Sequence, residues 1–413
     1  MTAVATQEYV APPPADPTPG GFRRDPRTWL RKNLFDSPAS SVLTVVFGVL
    51  LAYLLYRAAR YVFVTGRWEF IRVQLISFMV GPNFFAGGGT LPRLWTALYL
   101  LSTLAGVTAG VSAARGRAAG LRETLRRAAP ALLGLAVVLS FTRTLTPTLL
   151  ALGAIAAFLV VRLAVGRLPL TLTRRAWVLQ VVLFVAAVWV LTRFQGGAWD
   201  SWGGLLLTVF VAAAAIVASF PLGVLLALGR RSSFPAIRPI CVGYIELIRG
   251  VPLISLLFVG QFALGFFFPP GATRPGNIAR AIIMITLFTG AYTAEIVRGG
   301  LQSVPAGQTE AAKAIGLSPL RTTAVIVLPQ ALRNVIPALV GQFISLLKDT
   351  TLLTIIGVQE LLGVSQLALS GDFRGQLLAP EAFAFVAFLF WVLCYSMSRA
   401  SQRLEGRLGV GVR

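Results

Sequence analysis

The chain has 413 residues, of which 56% are hydrophobic and 13% are charged, and its mean hydropathy is +0.76. A composition this apolar excludes an ordinary soluble enzyme and predicts an all-α polytopic membrane protein. The net charge of +22 does not indicate a nucleic-acid partner, because the arginines stand at the ends of apolar runs, where they mark the cytoplasmic side of a membrane.

The residue types required by several kinds of catalytic site are missing. The sequence has no histidine, and Cys241 and Cys394 are far apart, which excludes His-based acid–base chemistry, His-ligated metals and thiol clusters. None of its three lysines follows a glycine, so a phosphate-binding GxxxxGK[ST] loop cannot occur. We therefore expect no cofactor on this chain, and if ATP drives the protein, another chain must bind it.

Composition divides the chain into five predicted segments. In chain order these are a proline-rich, disordered cytoplasmic tail (1–38), an N-terminal transmembrane extension (39–194), an external joint (195–204), a second transmembrane half (205–402) and a cytoplasmic tail (403–413). We expect Trp199 and Trp202 of the joint to lie at the membrane interface, which suits amphipathic rings.

About ten apolar stretches approach the roughly 20 residues that a membrane-spanning helix needs. They are residues 39–56, 94–112, 129–141, 145–161, 176–191, 205–228, 251–268, 281–296, 335–347 and 382–397. Arginines in the intervening loops place both termini in the cytoplasm. The stretch 68–80 mixes aromatic, charged and apolar residues, and we expect it to lie flat in the interface.

The cytoplasmic segment 301–334, between the eighth and ninth stretches, is the most informative part of the chain. Ser303 is a predicted helix cap, Pro305 fits a first turn and Gly316 suits a left-handed stop, so a helix of about ten residues is predicted between them. Its small residues leave a smooth surface suited to docking into a groove. A plain connecting helix remains the alternative interpretation.

The spacing in this segment forms a longer pattern. Its members are Glu310, Ala311, Ala312, then Gly316 after three residues, Ile326 after nine more, and Leu328 and Pro329 at the end. The pattern resembles the EAA loop of integral permease subunits of binding-protein-dependent ABC importers.

The flanking sequence narrows the resemblance. Residues 244–254, 292–302, 347–352 and 360–362 are similar to polar amino-acid permeases. The resemblance covers about residues 205–402 and implies a type I ABC importer transmembrane domain of about five spans, preceded here by an extension of about five spans. Long chains of this kind are similar to the M-type permease of general L-amino-acid uptake systems.

The resemblance implies a non-catalytic, multi-pass subunit of a bacterial plasma (inner) membrane importer. Its implied partners are two copies of a cytoplasmic ABC ATPase, a second homologous permease subunit and a periplasmic or extracellular amino-acid-binding protein. The implied contacts for the ATPase are Gly307, Glu310, Ala311, Ala312, Gly316, Leu328 and Pro329. We expect Glu310 to lie toward the positive end of the helix dipole.

Four residues are candidates for a substrate path: Glu295, Lys348, Asp349 and Thr350. A charge at the bilayer centre costs about 2.5 to 3.5 kcal/mol, so each charged residue needs a partner or an interfacial position. An amino acid carries an ammonium and a carboxylate, which acidic and basic side chains together could hold. The alternatives are an ion pair of Glu295 with Arg298 and an external helix end at Lys348 and Asp349.

Two other function classes make different predictions. A self-sufficient secondary transporter or channel would show two related halves, and the sequence has no clear internal repeat. A membrane enzyme would need clustered carboxylates or a histidine base, whereas the 15 acidic residues are scattered.

Overall fold

The computed structural model describes residues 33–86, 90–116, 121–173, 175–192, 201–269 and 274–408, together with residues 30, 88 and 271. Most of the predicted N-terminal tail, residues 195–200 of the predicted joint and residues 409–413 lie outside this part. The chain divides into two compact units, Met1–Gly66 and Arg67–Arg413.

The first unit contains one long helix, α1 (Pro38–Arg60), which continues into a π-helical turn, Tyr61–Thr65. Ser37 caps the helix, since the backbone N–H of Ser40 donates to Ser37 Oγ at 3.1 Å. No residue of α1 is buried, and its apolar side chains point outward on all sides. Such a helix is stable only in an apolar environment, as lipid provides.

The second unit contains the remaining helices. They are α2 (Glu69–Val80), α3 (Leu91–Ala114), α4 (Leu121–Ser140), α5 (Thr146–Gly166), α6 (Ala176–Thr192), α7 (Gly204–Arg230), α8 (Ile237–Gly250), α9 (Leu253–Phe258), α10 (Asn277–Ser303), α11 (Ala306–Ala314), α12 (Leu328–Asp349), α13 (Leu361–Ser370) and α14 (Gly375–Leu408). Helix α10 packs most extensively against α7 and next most extensively against α12.

All ten predicted apolar stretches coincide with helices. Among the described residues, seven helices are long and apolar enough to cross a membrane, or eight if one bent pair forms a single span. The stretches 129–141 and 176–191 lie in α4 and α6, whose apolar portions, Ala128–Ser140 and Ala176–Ala187, are shorter than the seven spans. The predicted fold class, an all-α polytopic membrane protein, is confirmed.

The bent pair corrects the predicted span at residues 251–268. Helix α8 and the segment Leu253–Phe267 meet at an angle of 104°. The cause is Pro252, whose extended backbone (φ −60°, ψ 140°) interrupts the helix and whose missing N–H removes a helical hydrogen bond. Pro252 therefore turns the chain sharply between α8 and the segment that follows.

Small residues bring α3 and α5 of the predicted extension into close contact. A side chain at Gly106 or Gly110 of α3 would collide with Val161 or Val165 of α5. Ser102 Oγ and Tyr99 Oη also donate hydrogen bonds to backbone carbonyls of α5. This is the GxxxG type of contact, in which backbones approach closely and hydroxyls bond across the helices.

One face of α2 packs against the protein, and its predicted position flat in the membrane interface stays a prediction. Ile71 and Phe78 are fully buried, and the Phe78 ring packs edge-on against Phe385 of α14 at a centroid distance of 5.6 Å. Trp202 is likewise buried, against Phe210, and its position relative to the membrane interface stays a prediction. Burial in the protein removes these aromatic surfaces from both lipid and water.

Three glycines join α2 to the start of α7. The N–H of Gly203 donates to Val80 O at 2.9 Å, and the N–H of Gly204 donates to Gln359 O at 3.0 Å. A Cβ on Gly81 would meet the backbone of Gly203, and Gly81 and Gly204 both have positive φ, at 94° and 58°. Only glycine allows both the backbone conformation and the close approach.

We expect Gly204→Ala to destabilise the protein by at least about 2 kcal/mol, because it adds left-handed backbone strain to a collision with the carbonyl of Phe78. The free energy of unfolding in an SDS titration measures this cost. Gly243→Ala in α8 is the matched control, since a Cβ there meets no atom within 4 Å. Equal stability of the two variants would contradict the close contact.

Candidate functional site

The predicted coupling helix is α11, a nine-residue helix with a defined C-terminal stop. Gly316 adopts the left-handed conformation, with φ of 79°. The N–H of Leu317 donates to Ala312 O at 3.0 Å and the N–H of Gly316 donates to Lys313 O at 2.9 Å. These two bonds form a Schellman motif, which satisfies carbonyls left open by the last turn.

The start of α11 differs from the prediction. Ser303 is the last residue of α10, and its hydroxyl donates to Gly300 O rather than capping α11. Pro305 occupies the N-cap position without a side-chain bond. Glu310 is the fifth residue of the helix, beyond the first turn, so the helix dipole is not the reason for an acidic residue there.

One face of α11 is open. Ala312 is buried, whereas Gly307, Glu310 and Ala311 are exposed. Within the described part of the chain, Glu310 makes no hydrogen bond or ion pair. The helix borders a groove of about 1020 Å³ that extends to the end of α7 and to residues 319–327.

Exposed apolar side chains surround this helix. Ile315, Leu320 and Val325 are each at least 71% exposed, although they lie at the helix boundary and in the segment that follows. Apolar surface of this kind, rimmed by polar residues, indicates a protein contact. Leu328 and Pro329 begin α12 directly after a π-helical segment, Thr322–Val327, and irregular helix of this type is frequent at functional sites.

An arginine cluster surrounds Glu295 near the end of α10. Glu295 Oε1 pairs with Arg230 Nη1 at 2.6 Å, and Glu295 Oε2 pairs with Arg298 Nη2 at 2.8 Å and Arg249 Nη1 at 3.6 Å. The ion pair with Arg298, predicted as one alternative, is present. The sequence did not show that α7 and α8 each contribute a further arginine to the same carboxylate.

The other substrate-path candidates lie at the far end of α12. Lys348 is exposed, Asp349 is half-buried, and Thr350 is buried with its hydroxyl donating to Leu347 O at 2.7 Å. Helix α12 starts beside α11 and reaches Asp349 only after about 30 Å, at 1.5 Å per residue. The structure therefore does not bring Glu295 together with Lys348, Asp349 and Thr350.

Glu360 is a buried polar residue whose role the sequence did not indicate. Its carboxylate caps α13 by accepting from the Gly363 N–H at 2.9 Å, and it also accepts from the hydroxyls of Thr354 and Thr208. Burial raises the pKa of this carboxyl, and the hydrogen bonds from Thr354 and the backbone oppose that rise. The Thr208 contact ties the segment after α12 to the start of α7.

Comparison with known proteins identifies the family. The profile of the family described as "Binding-protein-dependent transport system inner membrane component" matches residues 219–410. The probable glutamine ABC transporter permease protein GlnP of Bacillus subtilis is 38% identical over 206 residues, which cover 50% of this chain and 92% of the relative. The chain belongs to this family. The resemblance seen in the EAA loop is thus confirmed, as is a multi-pass protein of the bacterial inner membrane.

Two further relatives each match about half of this chain. The inner membrane amino-acid ABC transporter permease protein YhdY of Escherichia coli is 45% identical over 51% of this chain and 57% of the relative. The glutamate/glutamine/aspartate/asparagine transport system permease protein BztC of Rhodobacter capsulatus is 46% identical over 51% of this chain and 48% of the relative. The permease is aligned with about half the length of these two relatives.

Proposed function

We propose that this permease is the transmembrane subunit of an ATP-driven ABC importer for polar or general L-amino acids. The observation that carries the proposal is α11, an exposed helix with a fixed stop that lies at the end of the long helix α10 and beside an open groove. The amino-acid permeases among its relatives support the substrate class.

The chain is proposed to be non-catalytic and to hold no cofactor of its own. ATP binding and hydrolysis belong to two copies of a cytoplasmic ATPase. A second homologous permease subunit completes the path, and a periplasmic or extracellular binding protein delivers the amino acid. The exposed apolar side chains beside α11 support an ATPase contact at this surface.

Helix α11 is proposed to act as a lever between the ATPase and the spans. A short helix transmits a push better than a loop, which would absorb the motion. Ala312 anchors α11 inward, while Glu310 points into the groove side without a partner among the described residues. We infer that Glu310 pairs with a basic group of the ATPase.

The substrate path remains a proposal of its own. Glu295 and the group Lys348, Asp349 and Thr350 would act at opposite ends of the path. Among the described residues no hydrogen bond or ion pair joins Glu295 to that group, which supports successive contacts with the substrate.

We expect Glu310→Arg to abolish most amino-acid-stimulated ATP hydrolysis in proteoliposomes that hold the permease with its partner permease, ATPase and binding protein. Charge reversal replaces the proposed attraction with repulsion. Glu405→Arg is the matched control, since Glu405 lies near the end of α14 and bonds only to Ser401 within the described residues. The assay also records co-purification of the ATPase, so that lost assembly and lost coupling are separated.

Two results would contradict the proposal. If amino-acid-stimulated ATP hydrolysis in Glu310→Arg equals that in Glu405→Arg, α11 is only a connector. If the permease alone accumulates amino acids along an ion gradient, a secondary transporter replaces the importer subunit.

A further inference from the structure

A basic pocket lies at the same end of the bundle as α11. Its volume is about 400 Å³, and it opens between the ends of α7, α8 and α10. The residues that line it are Arg230, Arg231, Arg238, Val242, Arg298 and Gln302. Four guanidinium groups from three chain segments therefore meet at one cavity, which we call the arginine pocket.

The acidic residues nearby leave the arginine pocket positively charged. Glu295 binds Arg230 and Arg298, and Glu246 reaches Arg230 at 3.2 Å. Among the described residues, Arg231 donates only to the backbone carbonyl of Leu301, at 3.4 Å. Since Arg249 also shares Glu295, two carboxylates face five guanidinium groups.

Arg238 is the residue most available to a ligand. It is exposed on the first turn of α8, and within the described part of the chain its guanidinium makes no hydrogen bond or ion pair. A guanidinium presents its donors as a planar fork that matches two oxygens of a phosphate. The cavity volume falls within the range of about 300 to 1,000 Å³ that small-molecule sites occupy.

The outer face of α8 is apolar beside this pocket. Ile240 and Leu247 are 70% and 67% exposed, and Phe234 just before the helix is similarly exposed. An amphipathic helix of this kind places its apolar side chains at acyl chains while the arginines stand at headgroup level. Basic pockets between membrane helices on the cytoplasmic side are suited to anionic lipid headgroups.

We propose that the arginine pocket binds a phosphate group, supplied by the headgroup of an anionic phospholipid of the cytoplasmic leaflet or by a soluble phosphate compound. Bound there, the phosphate would accept hydrogen bonds from Arg231 and Arg238 and reduce the repulsion among the arginines. Arg298 and Gln302 belong to α10, which leads directly into α11, so the occupied pocket stiffens the junction before the coupling helix. This proposal depends on the charges of the pocket and not on the transported substrate.

The lipid source is tested with the full permease in nanodiscs of phosphatidylcholine containing phosphatidylglycerol. Native mass spectrometry measures the phosphatidylglycerol retained by the wild type, Arg238→Gln and Arg399→Gln. The control removes the same charge at an exposed arginine of α14 that stacks on Tyr395. We expect about fivefold weaker retention for Arg238→Gln and a change below about twofold for the control, because one arginine near an anionic headgroup is worth about fivefold in affinity.

The soluble source is tested by thermal unfolding in pure phosphatidylcholine nanodiscs, with inorganic phosphate or chloride at equal ionic strength. Arg238→Gln could lose the phosphate-dependent rise in unfolding temperature while it retains phosphatidylglycerol as the wild type does. That result would support the phosphate site and identify its ligand as a soluble phosphate. If Arg238→Gln matches Arg399→Gln in both experiments, the proposal is overturned. Arg238→Gln leaves no carboxylate unpaired. We therefore expect its unfolding temperature in chloride to equal that of the wild type.

Discussion

Gly316→Val is expected to reduce coupled ATP hydrolysis by at least about tenfold while the subunits still assemble. Gly316 has φ of 79°, a conformation that costs an ordinary L-residue about 1 to 2 kcal/mol and a β-branched residue more. A Cβ at this position meets no atom within 4 Å, so the whole effect comes from the backbone. The strain opens the Schellman motif. It therefore changes the direction in which the chain continues after α11. Substrate-stimulated hydrolysis in proteoliposomes measures the loss.

The matched control for this prediction is Gly299→Val in α10. Gly299 also has open space around it, but its φ is not positive, so valine replaces glycine there without left-handed strain. We expect Gly299→Val to retain hydrolysis close to the wild type. Full coupling in Gly316→Val would show that the left-handed stop is not needed to transmit motion.

Glu295→Gln is expected to lower the free energy of unfolding by about 3 kcal/mol. This is the lower end of the range for breaking a buried ion pair, because the Glu295 side chain is still 16% exposed. The neutral amide leaves Arg230, Arg249 and Arg298 close together without the charge that holds them. An SDS titration of the purified permease, followed by its helical signal, measures the change.

Glu246→Gln tests whether the position of the carboxylate matters. Glu246 is 58% exposed and makes one ion pair within the described part of the chain, with Arg230, which keeps Glu295 as a partner. The expected cost is below about 1 kcal/mol, as for other exposed ion pairs. Equal losses in the two variants would show that Glu295 does not hold the three arginines together.

The sequence by itself determined the helices and the short helix that ends at Gly316. Apolar runs locate the helices because a membrane span must satisfy its own backbone hydrogen bonds, which makes each span a local feature. The stop at Gly316 was predictable for the same reason, since a Schellman motif is made within six consecutive residues. The pattern from Glu310 to Pro329 resembles the EAA loop, and the comparison with known proteins confirmed that family.

Only the tertiary structure decided which distant residues meet. Arg230 and Glu295 are 65 residues apart in the chain, and their contact depends on how α7 packs against α10. The burial of one face of α2 depends likewise on its packing against α14. The local backbone conformation that a residue prefers can be inferred from that residue and its neighbours in sequence. A contact between two helices depends on the positions of both helices. For that physical reason the coupling helix could be predicted from the sequence, but the arginine cluster, the arginine pocket and the buried Glu360 could not.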